Sequence, residues 1–227
     1  MPSPRVLSLS RSLIGKKVIM AASGVVLLGF LAGHMYGNLK AFQGPDHFNA
    51  YAEGLRTIGA PILGRGHLLW VARIALLAAI VAHIWAAWLV TRASWAARRV
   101  DYKMLQSVET TYAARTMRWG GVIILLYVIY HLLDLTFGRV NPSYVRGDVY
   151  HNLVSSFARP AVAWFYVAAM LVLSFHLYHG ITSGFQTLGL NHPRYNHLRR
   201  FMALGFTVIV IAGFIAVPVA VQAGVIR

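Results

Sequence analysis

Cysteine is absent from all 227 residues. The chain therefore holds no thiolate-ligated iron–sulfur cluster, no disulfide and no thioether attachment point, and it says nothing about redox compartment. Acids are scarce as well: six Asp and Glu stand against 21 Lys and Arg, a formal net charge of +15. In a water-soluble chain that imbalance would suggest nucleic acid, but no recognised nucleic-acid module accompanies it. Charge of either sign is sparse at 12%, 58% of residues are hydrophobic, and mean hydropathy is +0.59. Those values lie outside the globular range and mark a multi-pass membrane protein. Most basic residues lie in short loops beside apolar runs, where they act on orientation and lipid contact.

Five apolar runs are each near the ~20 residues needed to cross ~30 Å of hydrocarbon. They cover residues 18–37, 67–90, 119–137, 161–182 and 201–221, within one transmembrane domain over 1–227. The basic start with Arg5, Arg11, Lys16 and Lys17 before Val18 resembles a signal peptide. The run that follows is too long for that reading and lacks a small-residue cleavage site, so it is the first span. A short surface helix is expected around 46–58, ended by Gly59 and Pro61. The fifth span carries no histidine and no charge and reads as a packing helix, with Pro218 tolerated near its end.

Loop charge sets the expected orientation. Arg5, Arg11, Lys16 and Lys17 share one side with Arg92, Arg98, Arg99, Lys103, Arg115 and Arg118, and with Arg194, Arg199 and Arg200. The other side has Lys40, Arg56, Arg65, Arg139, Arg146, Arg159 and Arg227, spread over longer loops. The excess places the N-terminus in the cytoplasm and the C-terminus outside.

Four spans each carry a buried histidine: His34, His83, His131 and His176. An ionisable residue inside a membrane is costly, so each marks a functional site, and one alone is as well explained by a helix–helix hydrogen bond. Four together point to a ligand set, and haem iron takes axial imidazoles. Depth sorts them into pairs. His34 and His131 lie roughly 5–9 Å past their midpoints toward the outer face, and His83 and His176 roughly 6 Å toward the inner face, at 1.5 Å per residue. The expected architecture is an all-α membrane protein, a five-helix bundle enclosing two stacked, bis-histidine b haems. Gly29, Gly33, Ala78, Ala79 and Ala82 would let helices and a flat macrocycle approach closely. His179, three residues beyond His176, is either the ligand in its place or a propionate contact. Arg73 either neutralises a propionate or snorkels to the interface. Asp134, the one acid in any span, either orients the His131 ring or reaches the outer surface. His47, His67, His151, His192 and His197 fall in loops or at span ends and read as solvated.

At these residues the sequence resembles the di-haem cytochrome b subunit of succinate:quinone and fumarate:quinone oxidoreductases, of the five-helix, single-chain kind. The resemblance covers nearly the whole chain. It rests on residues Phe30 to Leu39 (FLAGHMYGNL), Ala82-His83-Ile84, Tyr127 to Leu133 (YVIYHLL) and, most of all, Phe175 to Asn191 (FHLYHGITSGFQTLGLN). It implies a bacterial plasma-membrane anchor on whose cytoplasmic face a flavoprotein subunit and an iron–sulfur subunit dock. Electrons from succinate would pass through the clusters to the haems and a membrane quinone, menaquinone or another. Carried over by residue, His83 and His176 bind the haem nearer the clusters and His34 and His131 the farther one. His179 occupies a position that need not be histidine there. The quinone site does not carry over. Glu53 and Asp46 are candidates for an outer one, against the plainer reading of a solvated surface helix.

Three rival functions follow from the same residues. A di-haem cytochrome of a hydrogenase, formate dehydrogenase or nitrate reductase differs in its partner. A proton transporter would want acids beside the histidines and Gly/Pro-broken helices at matching positions, and neither is present. An intramembrane zinc protease would want H-E-x-x-H, which is missing.

Overall fold

A computed structural model describes residues 12–96 and 112–227. The described chain is helical, with no strand. Five helices are long and apolar enough to cross a bilayer: α1 (Leu13–Leu39), α4 (His67–Ala96), α5 (Tyr112–His131), α7 (Pro160–Thr187) and α8 (Asn196–Gln222). Short helices lie between them: α2 (Pro45–Thr57), α3 (Ala60–Leu63) and α6 (Val149–Phe157). The architecture is an all-α membrane bundle.

Local chemistry sets the boundaries. Ser12 caps α1 by accepting from the Gly15 N–H at 2.9 Å. Pro45 opens α2 at a position where its missing N–H costs nothing, with Asp46 in the first turn. The expected stop at Gly59 is real: its φ of 77° is left-handed, a conformation cheap only for glycine. Several helices outrun the apolar runs that signalled them. α1 includes Lys16 and Lys17, and α4 continues to Ala96 past Arg92. The backbone hydrogen bonds of a helix continue into the interface, where long basic side chains reach water.

The bundle has a capped end. There α2 and α6 lie across the ends of α1, α7 and α8, and Phe48, Leu153, Phe157, Ala163, Tyr166 and Val217 form a core. Asn49 joins the two short helices, donating to Asp148 Oδ1 and accepting from the Tyr150 N–H, both at 3.0 Å. Helix α6 falls in a loop that the apolar pattern left without structure. Its nine residues are too few to span, and Asp148 caps it through the His151 N–H at 2.9 Å.

Packing between the long helices is uneven. α4 lies along α1, α5 along α7, and α8 against both α7 and α1. Gly213 permits the α1–α8 approach, since a Cβ there would sit 2.5 Å from Met35 Sδ. Helix α8 is thus a packing helix, as the absence of charge over residues 201–221 suggests, although its first turns carry Arg199 and Arg200. The α1–α5 and α4–α7 pairs, by contrast, make little close backbone contact.

Candidate functional site: two facing histidine pairs

The two weakly packed helix pairs are the ones whose histidines face each other. His34 on α1 and His131 on α5 have ring centroids 5.7 Å apart with planes at 88°. His83 on α4 and His176 on α7 are 6.3 Å apart at 61°. The first pair lies toward the capped end and the second toward the opposite end.

Their surroundings differ. His34 stacks on Phe30 at 5.1 Å and lies 5.8 Å from Phe214, while His131 is 5.9 Å from both Tyr127 and Tyr166. His83 is held by hydrogen bonds instead. Its Nδ1 is 3.1 Å from the Met20 carbonyl and 3.3 Å from Ser23 Oγ. A carbonyl only accepts, so Nδ1 carries the proton and Nε2 presents a lone pair. Glycines flank this second pair. A Cβ on Gly24 would lie 3.6 Å from the His83 ring, and one on Gly121 would lie 3.9 Å from His176.

These residues fit haem iron. Two imidazoles bound to one metal at about 2 Å each bring their ring centroids to about 6 Å. The Nδ1 atoms of His131 and His176 are buried without a hydrogen-bond partner, a state that calls for an explanation in a native site. Gly29 and Gly33 border open space, with nothing within 4 Å of where a Cβ would stand. Among the described residues no cluster of three or more His, Asp or Glu could hold a bare metal ion. Paired imidazoles are the donor set on offer.

The other candidates fall elsewhere. His179 is half-buried, and the ring facing His83 is that of His176. The Arg73 guanidinium lies 5.0 Å over Trp70, in a cleft of about 310 Å³ shared with Arg56 and Arg65 at the capped end. Glu53 is ion-paired with Arg56 at 3.3 Å and with Arg65. His47, His67, His192 and His197 are exposed, and His151 bonds the Ser143 carbonyl at 2.8 Å.

Asp134 corrects an expectation. It neither orients the His131 ring nor reaches the surface; it is 0% exposed. Its carboxylate accepts from Arg159 Nη2 and the Tyr166 hydroxyl, each at 2.9 Å, and from Ser156 Oγ. It sits in a π-helical turn, Leu132–Thr136, directly after His131. That widened turn swings the side chain away from the histidine face toward α6 and α7. The acid and the arginine stand 25 residues apart in sequence, so no local pattern announces the pair. Arg199 was similarly hidden. Reckoned above as a loop charge, it is only 6% exposed, and Nη1 donates to Asn191 Oδ1 at 3.1 Å.

Fold and site together define a multi-pass helical membrane protein with paired intramembrane imidazoles. The family of succinate dehydrogenase/fumarate reductase transmembrane subunits matches residues 96–216, more than half of the chain, and the chain belongs to that family. The matched segment carries His131 and His176; their opposite numbers His34 and His83 lie before it. No curated protein and no solved structure matches the chain.

Proposed function

We propose that this chain is the membrane-anchor cytochrome b subunit of a bacterial succinate dehydrogenase, holding one haem b between His34 and His131 and a second between His83 and His176. The observation that carries this reading is the pair of facing imidazoles on helices that otherwise scarcely touch. When bound, haem supplies one-electron transfer between the iron–sulfur subunit and membrane quinone.

The chain's own residues supply binding and environment. Met20 and Ser23 fix the His83 tautomer so that Nε2 is free to ligate. Gly24 and Gly121 keep side-chain bulk away from the second pair, and Gly29 leaves room on α1. Apolar walls of Phe30, Phe214 and Tyr127 around the first pair exclude water. His176 is the ligand opposite His83, and His179 a propionate or second hydrogen-bonding contact. Arg73 either meets a propionate or stays on Trp70 at the interface. With the N-terminus cytoplasmic, the capped end faces outward, and the flavoprotein and iron–sulfur subunits dock on the opposite end, beside His83 and His176. A cysteine at Ser143 is then labelled only from outside and one at Ser107, beyond the described residues, only from the cytoplasm.

The family embraces both succinate oxidation and fumarate reduction, and the sequence favours neither direction. The deciding experiment is a pyridine haemochrome assay on the purified complex, with turnover of succinate and fumarate against menaquinone and ubiquinone analogues. Two haems per chain and succinate:quinone activity are expected. One haem or none sinks the ligand assignment, and a complex lacking a flavoprotein sinks the subunit assignment.

A further inference from the structure

One large concavity lies apart from the histidines. A groove of about 720 Å³ runs between α7 and α8, walled by Tyr178, Leu204, Thr207, Ile211, Ile215 and Val219. Its α7 wall includes Ser174 and Tyr178, each two residues from His176 and so about half a turn round the helix from it. Its α8 wall from Leu204 to Val219 extends about 22 Å at 1.5 Å per residue, most of the hydrocarbon thickness.

Three features say what fills it. The walls are almost wholly apolar, which suits a hydrocarbon chain lying along the helix axis. Thr207 lines the groove, is only 4% exposed, and its hydroxyl has no partner, so the site lacks one hydrogen-bond acceptor. Arg200 lies one turn before Leu204 on the same face of α8, at the end of the groove opposite the capped end. It is exposed and forms no ion pair among the described residues. A cation at the interface, a hydroxyl donor just inside and a long apolar track above are complementary, in order, to the phosphate, ester carbonyl and acyl chain of a phospholipid.

We propose that this groove binds one membrane phospholipid, its phosphate against Arg200 and an acyl chain along α8. The ester oxygens then fall in the stretch between Arg200 and Thr207, where a carbonyl accepts from the Thr207 hydroxyl. A quinone reacting here is disfavoured on chemical grounds. Its reduction takes up two protons, and no Asp, Glu, His or Lys lines the groove. The site is therefore a lipid seat on the face of α7 opposite the ligand histidine.

The test uses the complete chain with whatever subunits accompany it, purified in mild detergent and analysed by native mass spectrometry with lipid extraction. Ala212→Trp fills the groove and should retain one phospholipid fewer per chain than the wild type. Arg200→Gln should lower retention of phosphatidylglycerol about fivefold, since one basic residue near a membrane surface contributes about that factor. Should Ala212→Trp not fold, Arg200→Gln decides alone, through the immobilised fraction of a spin-labelled phosphatidylglycerol in reconstituted vesicles. Unchanged retention in the Arg200 variant overturns the proposal. So does release of quinone instead of phospholipid.

Discussion

The two histidine pairs offer the same donor atoms in opposite settings. The pair near the capped end, His34 and His131, is surrounded by aromatic rings, and a closed polar network of Asp134, Ser156, Arg159 and Tyr166 lies one turn behind it. The other pair, His83 and His176, has glycine neighbours and a hydrogen-bonded anchor on α1. The first ring set is placed by packing, whereas in the second His83 is held by directed bonds. Packing is non-directional and tolerates small shifts, whereas a carbonyl 3.1 Å from Nδ1 fixes both tautomer and ring plane. Two sites of one stoichiometry should therefore respond differently to substitution.

The largest effects come from the imidazoles themselves. His34→Ala or His131→Ala should remove one haem per chain and leave the other, and His83→Ala or His176→Ala should do the converse, read from reduced-minus-oxidised spectra. His179→Ala should keep both. If it loses the haem that His176→Ala spares, the two residues exchange roles. Loss of both haems from any one change would mean that the pairs are not separate sites.

Next comes the network behind the first pair. Asp134→Ala leaves Arg159 without its carboxylate and two hydroxyls without an acceptor. Breaking such a buried pair costs about 3–5 kcal/mol, and the lower figure applies because Arg159 keeps 32% of its side chain exposed. Thermal unfolding in detergent should show a large loss, with the haem of His34 and His131 released first. Simultaneous release of both haems would erase the distinction between the settings.

A smaller effect concerns the cap. The His151 N–H and the Asn49 amide hold the Asp148 carboxyl below its ordinary value. A depressed folded value means stabilisation that is present above the unfolded carboxyl value of about 3.9 and is lost as pH falls through the folded one. Asp148→Ala should cost about 1 kcal/mol at neutral pH, with the difference from wild type vanishing in acid. Hydrogen exchange of the α6 amides measures it.

The smallest effect is the most selective. Ser23→Ala removes the 3.3 Å contact to His83 while the Met20 carbonyl remains. A change under about 1 kcal/mol is expected, seen as a shift in the potential of the haem at His83 and His176 alone. A shift at the other haem would show that the two settings are coupled.

Much of this was readable along the chain, because membranes make composition speak. A run of ~20 apolar residues has few alternatives to a spanning helix, so the five spans and the four intramembrane histidines stand out without any alignment. Depth along each helix follows from counting residues, which is why the facing partners could be anticipated. Rotation about each helix does not follow, since α1, α4 and α7 are apolar all round and no polar stripe marks an inner face. Contacts across the bundle therefore needed the assembled helices. The Asp134–Arg159 pair, the Ser23 and Met20 anchor on His83 and the joining of α2 to α6 through Asn49 all join segments distant in sequence, and the burial of Arg199 is likewise a property of the assembled bundle. Each depends on which face of one helix meets another, a matter of side-chain volume summed over the bundle rather than of any local pattern.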